Sequence, residues 1–508
     1  MSTNTEMKKT LGLTGVTVNA MALIAPGAFL WLTYQLQAAQ VDTAGNSTAG
    51  DMFAGLVFAL ILAFLTAISY SKLAELYPEA GTGSSYYFAE QAFLNKELKL
   101  SGFARLAKFL TGWFSHLYYW VYPGVMVAMF ATMVTYIAGQ FNISLAVPAQ
   151  IAIAVGFAFL VGYVAFRGIN GSTMFAILIN VIQIITLVFI TVLALIYRVN
   201  NPQHVEFVHK SLLDVVMPHS ISSVLFQATI AILLLVGFES TTALAAESKS
   251  PKHVSRGVII SLILQGLIFY LFEYFGANAW INTSYTQTVN KQVVTGLNAA
   301  AASSAPIGDM VQNLGNVLLN NSGFTLMILV AISVAIAIFG TTLSCMNSGV
   351  RVTYAMSKDQ EVPSILGMLH PKHATPHAGV WILTVASAVI GGFGVISVRN
   401  LTAVTLFSNV GTFIIYGMTN LISLIAFMRH PSQNKVLHVI VPILGFIANL
   451  GMLVAVFYLG ILGGGDTKIA AMEAILATGV WTVIGIIYLI QNSRASNRKI
   501  ITSHNLAR

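Results

Sequence analysis

An ionisable residue inside an apolar run is the first place to look for chemistry, and Leu235-Val-Gly-Phe-Glu-Ser240 supplies one at Glu239, two residues after a glycine. A carboxylate at that depth is costly unless it faces a cavity, a partner or a proton path. As an anion it can cap exposed helix amides, and with a proton bound it can carry that proton. A second irregularity stands in Ala22-Leu-Ile-Ala-Pro-Gly-Ala-Phe-Leu-Trp31, where Pro26 and Gly27 are adjacent in an apolar run. A broken helix leaves N–H groups unpaired at the start of one half and C=O groups unpaired at the end of the other. In lipid such groups persist only where they line an enclosed cavity, so the two breaks together mark a candidate binding site. A plain kink at Pro26 is the competing use, because proline and glycine are frequent in membrane helices.

Other polar residues divide between chemistry and packing. Thr341, Thr342 and Ser344 could offer hydroxyl oxygens to sodium, which suits a hard cation, or bond back to their own helix carbonyls. Glu273, near the end of its apolar run, reads as a solvated helix-end acid. His116, Tyr118, Tyr119, Trp120 and Tyr122 fit an aromatic interfacial belt. His370, His373 and His377 suggest a metal, but two prolines and the lack of a nearby carboxylate or cysteine make a basic surface turn the better reading. Cys345 is the single cysteine, so neither a disulfide framework nor a thiolate metal cluster is available. No nucleophile elbow, phosphate loop or H-E-x-x-H motif occurs, and no catalytic residue, cofactor or metal is expected.

The elements that must position these residues are membrane spans. The 508-residue chain is 56% hydrophobic and only 8% charged, with a mean hydropathy of +0.79; a soluble fold of that length could not hide so much apolar surface. Apolar stretches of helical length fall near 11–40, 51–71, 109–138, 148–166, 172–197, 218–245, 257–279, 323–347, 378–396, 402–428, 437–462 and 469–490. Their length and the absence of period-two alternation predict twelve helices, an all-α membrane protein. Of the 25 lysines and arginines, all but Arg198, Lys210, Lys291, Arg399 and Lys468 fall in connections that alternate to one side. That asymmetry predicts a multi-pass protein of the cytoplasmic membrane with both termini cytoplasmic. The net charge of +8 thus reports topology and gives no case for nucleic acid as a partner.

Lys8 and Lys9 before the first apolar run imitate a signal peptide, but the run is too long for one and reads as a retained helix. Breaks in the first and sixth spans point to an inverted repeat of five spans each. The expected division is a tail at 1–10, repeats at 11–200 and 201–430, two further helices at 431–491 and a cytoplasmic tail at 492–508. Residues 72–108 should form a cytoplasmic amphipathic helix. The segment 280–321 is an external connection that either forms short covering helices or stays solvated.

Several motifs resemble those of the amino acid-polyamine-organocation (APC) permease superfamily. Ala74-Glu-Leu-Tyr-Pro-Glu-Ala-Gly-Thr-Gly-Ser-Ser-Tyr86 is similar to its signature after helix two, and Gly237-Phe-Glu239 with Ala246-Glu-Ser-Lys-Ser-Pro251 to its sixth-helix pattern. Arg351-Val-Thr-Tyr-Ala-Met-Ser-Lys-Asp359, Gly112-Trp113 and Gly411-Thr-Phe-Ile-Ile-Tyr416 also fit, in the right order over nearly the whole chain.

The resemblance implies a secondary active transporter that moves an amino acid or related small amine by alternating access, as symporter or exchanger. Its fold would be two inverted five-helix repeats with helices 1 and 6 broken, plus two peripheral helices. Polyamine or organic-cation transport, and a non-transporting membrane receptor of the same fold, are the alternatives. Carried over by motif, a substrate amine would meet the carbonyls of Leu23, Ile24, Leu235 and Val236, and an acidic group the amides of Gly27 and Ala28. Ala25, Gly237, Phe238 and Glu239 complete the two broken cores, and Tyr119 matches a family tyrosine facing the pathway.

This chain departs from the pattern in two places. Ala25-Pro26-Gly27 replaces a small-residue run, and proline has no N–H to clasp a carboxylate. Leu233 stands where many relatives place an aromatic gate, and leucine cannot stack on a cation. For the coupling ion, H+ or Na+, the candidates are Glu239, Gln183, Thr341, Thr342 and Ser344. Gln183 corresponds to a helix-five lysine of some proton-coupled relatives, and Asn180 lies one turn earlier. The remaining partner is the lipid bilayer.

Overall fold

The computed structural model describes residues 11–24, 30–78, 83–94, 100–168, 173–200, 216–245, 248–373 and 375–501. The first apolar run gives α1 (Leu13–Ile24) and α2 (Leu30–Ala38). Ala25, Pro26, Gly27 and Ala28, with the expected break, lie outside the described residues, as does the side chain of Ile24. Then follow α3 (Met52–Leu76), the short α4 (Ser85–Phe93), α5 (Ala104–Gln140), α6 (Val147–Phe166) and α7 (Thr173–Asn200). The sixth run gives α8 (Ile221–Ala231), a tightened turn at Ile232–Leu234, and the four-residue α9 (Ser240–Ala243). The seventh gives α10 (Pro251–Leu262), a π-helical stretch Ile263–Tyr270 and α11 (Leu271–Trp280). After a hairpin of β1 (Thr286–Val289) and β2 (Gln292–Thr295) come α12 (Gly296–Ala302) and α13 (Pro306–Leu318). The chain ends with α14 (Gly323–Lys358), α15 (His377–Gly394), α16 (Val398–Phe427), α17 (Val441–Leu462) and α18 (Gly465–Ala495).

Nine helices among the described residues are long and apolar enough to cross a membrane. Of the other three apolar runs, the sixth and seventh are divided, and the first is described only over 13–24 and 30–38. The seventh carries no proline at its middle, yet it is irregular there. Its π-helical stretch turns Gln265 towards α1, where Nε2 donates to the Met21 carbonyl at 2.8 Å. Several helices also outrun their apolar stretches. The eighth run ends near residue 347, yet α14 continues to Lys358, and α5 begins at Ala104, because hydropathy reports the slab while backbone hydrogen bonding carries a helix beyond it.

α5 is the central strut, packed against α14, α15 and α16, while α3 packs on α8 and α10, α1 on α10, and α16 on α17 and α18. Close approach of α16 to α5 depends on Gly411, where an added Cβ would lie 2.6 Å from Leu117 Cβ and 2.9 Å from the Tyr118 amide nitrogen. Arg105 and Lys108 at the start of α5 pair with Glu361 and with Glu90 and Asp359. These ion pairs join α4, α5 and the end of α14.

Residues 281–322 are not a loose connection. Asp309 on α13 accepts hydrogen bonds from Tyr136 (2.8 Å), Tyr285 (2.6 Å), Gln287 (3.0 Å) and Ser303 (2.6 Å). Four donors on one carboxylate tie the hairpin and both short helices to α5. In the 72–108 segment the expected amphipathic helix is α4, with Tyr86, Phe88 and Ala89 buried.

Candidate substrate and ion site at the interrupted helix

The sixth apolar run stops being helical at Leu235. Gly237 adopts φ +129°, a conformation that side-chain-bearing residues rarely reach, and the chain turns before α9 restarts at Ser240. Serine and threonine after the break tie its far edge down. Ser240 Oγ donates to the Gly237 carbonyl (2.6 Å), Thr241 Oγ1 to Phe238 (2.9 Å) and Thr242 Oγ1 to Glu239 (2.6 Å). Among the described residues nothing donates to the carbonyls of Leu235 and Val236. The break therefore keeps two acceptors open on one side and closes three on the other.

Glu239 is buried within this turn. Its Oε2 accepts from the Gly237 amide at 3.1 Å and from the Tyr416 hydroxyl at 2.9 Å, while Oε1 has no hydrogen-bond partner among the described residues. No described lysine, arginine or histidine forms an ion pair with it. A buried carboxylate without a cationic partner calls for an incoming positive group or a proton.

The carboxylate faces a small cavity lined by Tyr118 and Tyr119 of α5, Thr412 and Tyr416 of α16 and Tyr70 of α3, and floored by Ser84 and Ser85. Its free space is roughly that of one water molecule, so this conformation is closed around the site. Aromatic packing makes the walls. Phe238 lies 5.3 Å from Tyr416 and 6.1 Å from Tyr70 between ring centroids, and Tyr118 lies 4.5 Å from Tyr119.

The second half of α1 is braced by three neighbours. Asn180 Nδ2 reaches the Val18 carbonyl (3.2 Å), Gln265 the Met21 carbonyl, and Thr341 Oγ1 the Ala22 carbonyl (2.9 Å). Thr341 thus meets the end of α1, as an oxygen ligand beside that carbonyl would. Thr342 instead bonds back to Ile338 (2.6 Å), and Gln183 is engaged with Ser333 at 2.6 Å, away from α1. Ser344 is only half-buried, one turn along α14. Leu23, Leu233, Leu235 and Val236 are buried in the core around the break.

Some expectations need correcting. Glu273 is 3% exposed and its Oε2 has no partner among the described residues, so it is a buried acid of α11 and not a solvated one. Tyr118 joins the cavity wall beside Tyr119. Tyr70, Ser84, Ser85 and Tyr416 were missed as site residues although two recognisable motifs contain most of them. The histidines 370 and 373 stack at 4.9 Å, and no group of described residues is arranged to hold a metal. Slight desolvation and the positive neighbours His370, Arg167 and Lys372 keep His373 below its ordinary value.

Comparison with known proteins decides the family. A family described as amino acid permease matches residues 9–487. The chain belongs to the amino acid permease family. It is 22% identical to a branched-chain amino acid permease of Bacillus subtilis, over 97% of this chain and 94% of the relative. It is also 22% identical to a low-affinity putrescine importer of Escherichia coli strain K12, over 95% and 93%, and to a methylthioribose transporter of Bacillus subtilis, over 73% and 74%. The permease is accordingly a multi-pass membrane transporter of the APC superfamily and not an enzyme.

Proposed function

We propose that this permease moves an amino acid or related small amine through the break in the sixth apolar run by alternating access. The observation that carries this reading is Glu239, a buried carboxylate with one free oxygen and no cationic partner, beside the open carbonyls of Leu235 and Val236. Three acceptors would suit an ammonium group, which has three N–H donors. Leu23, Ile24, Ala25, Gly27 and Ala28 would supply the facing half of the cradle, with Tyr119, Gly237, Phe238 and Leu233 shaping it.

The first, sixth and seventh apolar runs, added to nine continuous helices, support twelve spans, with repeats at 11–200 and 201–430 and helices 431–491 outside them. The charge asymmetry supports cytoplasmic termini, with α4 and the ion pairs of Arg105 and Lys108 on the inner side and the Asp309 lid on the outer.

A ligand of the folded state raises its apparent stability. Purified permease should therefore melt at a higher temperature with leucine or putrescine present, and the shift should be lost in Glu239→Gln. No shift with either compound, with or without sodium and at two pH values, would remove the amine reading.

A further inference from the structure

Hydroxyl groups run from the cavity at Glu239 towards the segment around residues 83–85, and their donor directions are ordered. Ser85 Oγ donates to the Tyr70 hydroxyl at 2.8 Å and stands 3.0 Å from Thr419 Oγ1. Because Ser85 spends its proton on Tyr70, Thr419 is the donor to Ser85, and Tyr70 keeps its own proton for the cavity. Across that cavity is Glu239, whose Oε1 has no donor. The space between admits about one water. On the other side of Thr419, one turn along α16, Ser423 is buried with its hydroxyl unpartnered and continues the stripe towards the helix end at Phe427. Besides Glu239, the ionisable side chains facing this space are Tyr70 of α3, Tyr118 and Tyr119 of α5 and Tyr416 of α16, and Cys345 of α14 is buried nearby.

We propose that Tyr70, Ser85 and Thr419 form a hydroxyl relay carrying protons between Glu239 and the side of the molecule marked by residues 83–85, so that transport is coupled to a proton gradient. This rests on the reading of Glu239 as the charge at the transport site. The alternation it implies is simple: one carboxylate without a cationic partner holds either a proton or the solute's ammonium group, and releasing one makes room for the other.

The transfer balances. In this donor order a proton arriving at Thr419 lets Thr419 pass its own to Ser85, and Ser85 pass its own to Tyr70. Tyr70 passes its own to the cavity water, and the water passes one to Glu239 Oε1, so that an O–H bond forms there as one breaks at each donor. Each hydroxyl ends with one proton, received from its neighbour, so the chain is left pointing the other way for release by the reverse hops, and the carboxyl keeps the Tyr416 and Gly237 donors on Oε2.

Proteoliposomes loaded with leucine or putrescine separate coupling from transport itself. Counterflow of the labelled compound needs no proton movement, whereas accumulation under an imposed pH gradient of either polarity does. Wild type should do both. Thr419→Val should slow gradient-driven accumulation, and the accompanying proton flux, by at least about tenfold while counterflow stays within about twofold. Thr419→Ser keeps the hydroxyl and should restore coupling. Counterflow without any response to pH in wild type, or wild-type accumulation in Thr419→Val, would overturn the relay and leave the transport reading standing. Equal loss of coupling in Thr419→Ser and Thr419→Val with intact counterflow would also overturn it, and neither activity with either compound would remove both ideas.

Discussion

The Tyr416 hydroxyl donates to Glu239 at 2.9 Å across 177 positions of the chain. The contact exists because Gly411, five residues earlier on α16, lets that helix press against Leu117 and Tyr118 of α5. One glycine sets the depth of α16, and that depth brings Tyr416, Tyr118 and Tyr119 around a single carboxylate.

Tyr416→Phe should keep the ring contacts with Phe238 and Tyr70 and remove only the donor to Glu239. A hydrogen bond to a charged group contributes about 1.5–3 kcal/mol, so apparent affinity for the amine should fall roughly tenfold or more with little change in melting temperature. Titrating ligand-induced thermal stabilisation measures both quantities.

Gly237→Ala places a Cβ on a residue at φ +129°. Strain of that kind costs about 1–3 kcal/mol. The variant should melt lower in detergent and bind the amine poorly, because the carbonyls of Leu235 and Val236 would be re-aimed.

Gly411→Ala and Gly451→Ala form a matched pair on neighbouring helices. At Gly411 the new methyl would meet α5 backbone, while at Gly451 nothing lies within 4 Å. Overpacking costs about 1–3 kcal/mol, so only Gly411→Ala should lower the melting temperature. It should weaken amine binding as well, by moving Tyr416.

Asp309→Asn replaces a carboxylate that accepts four hydrogen bonds with an amide that turns an NH2 group towards some of the same donors. Faster amide exchange over 296–318 is expected, with α15 exchanging as in wild type.

Much of this could be read from the chain because it is local. An apolar run with Gly237 and Glu239 at its middle is a one-dimensional signal, and the turn appeared there. Span positions followed from hydropathy for the same reason. Tyr416, Tyr70 and Ser85 were not legible as site residues, since their meeting with Glu239 depends on helices far apart in sequence. Glu273 was misread because distance from the end of an apolar run says nothing about which helices cover it. Asp309 was invisible for a similar reason: its four donors come from α5, the hairpin and the end of α12.

The most direct measurement of the site is counterflow of labelled leucine and putrescine in proteoliposomes matched for protein, comparing wild type with Glu239→Gln. Wild type should exchange at least one of the two, and the variant should be slower by at least about tenfold at an unchanged melting temperature. Equal counterflow in the two proteins would place solute binding away from Glu239 and its broken helix.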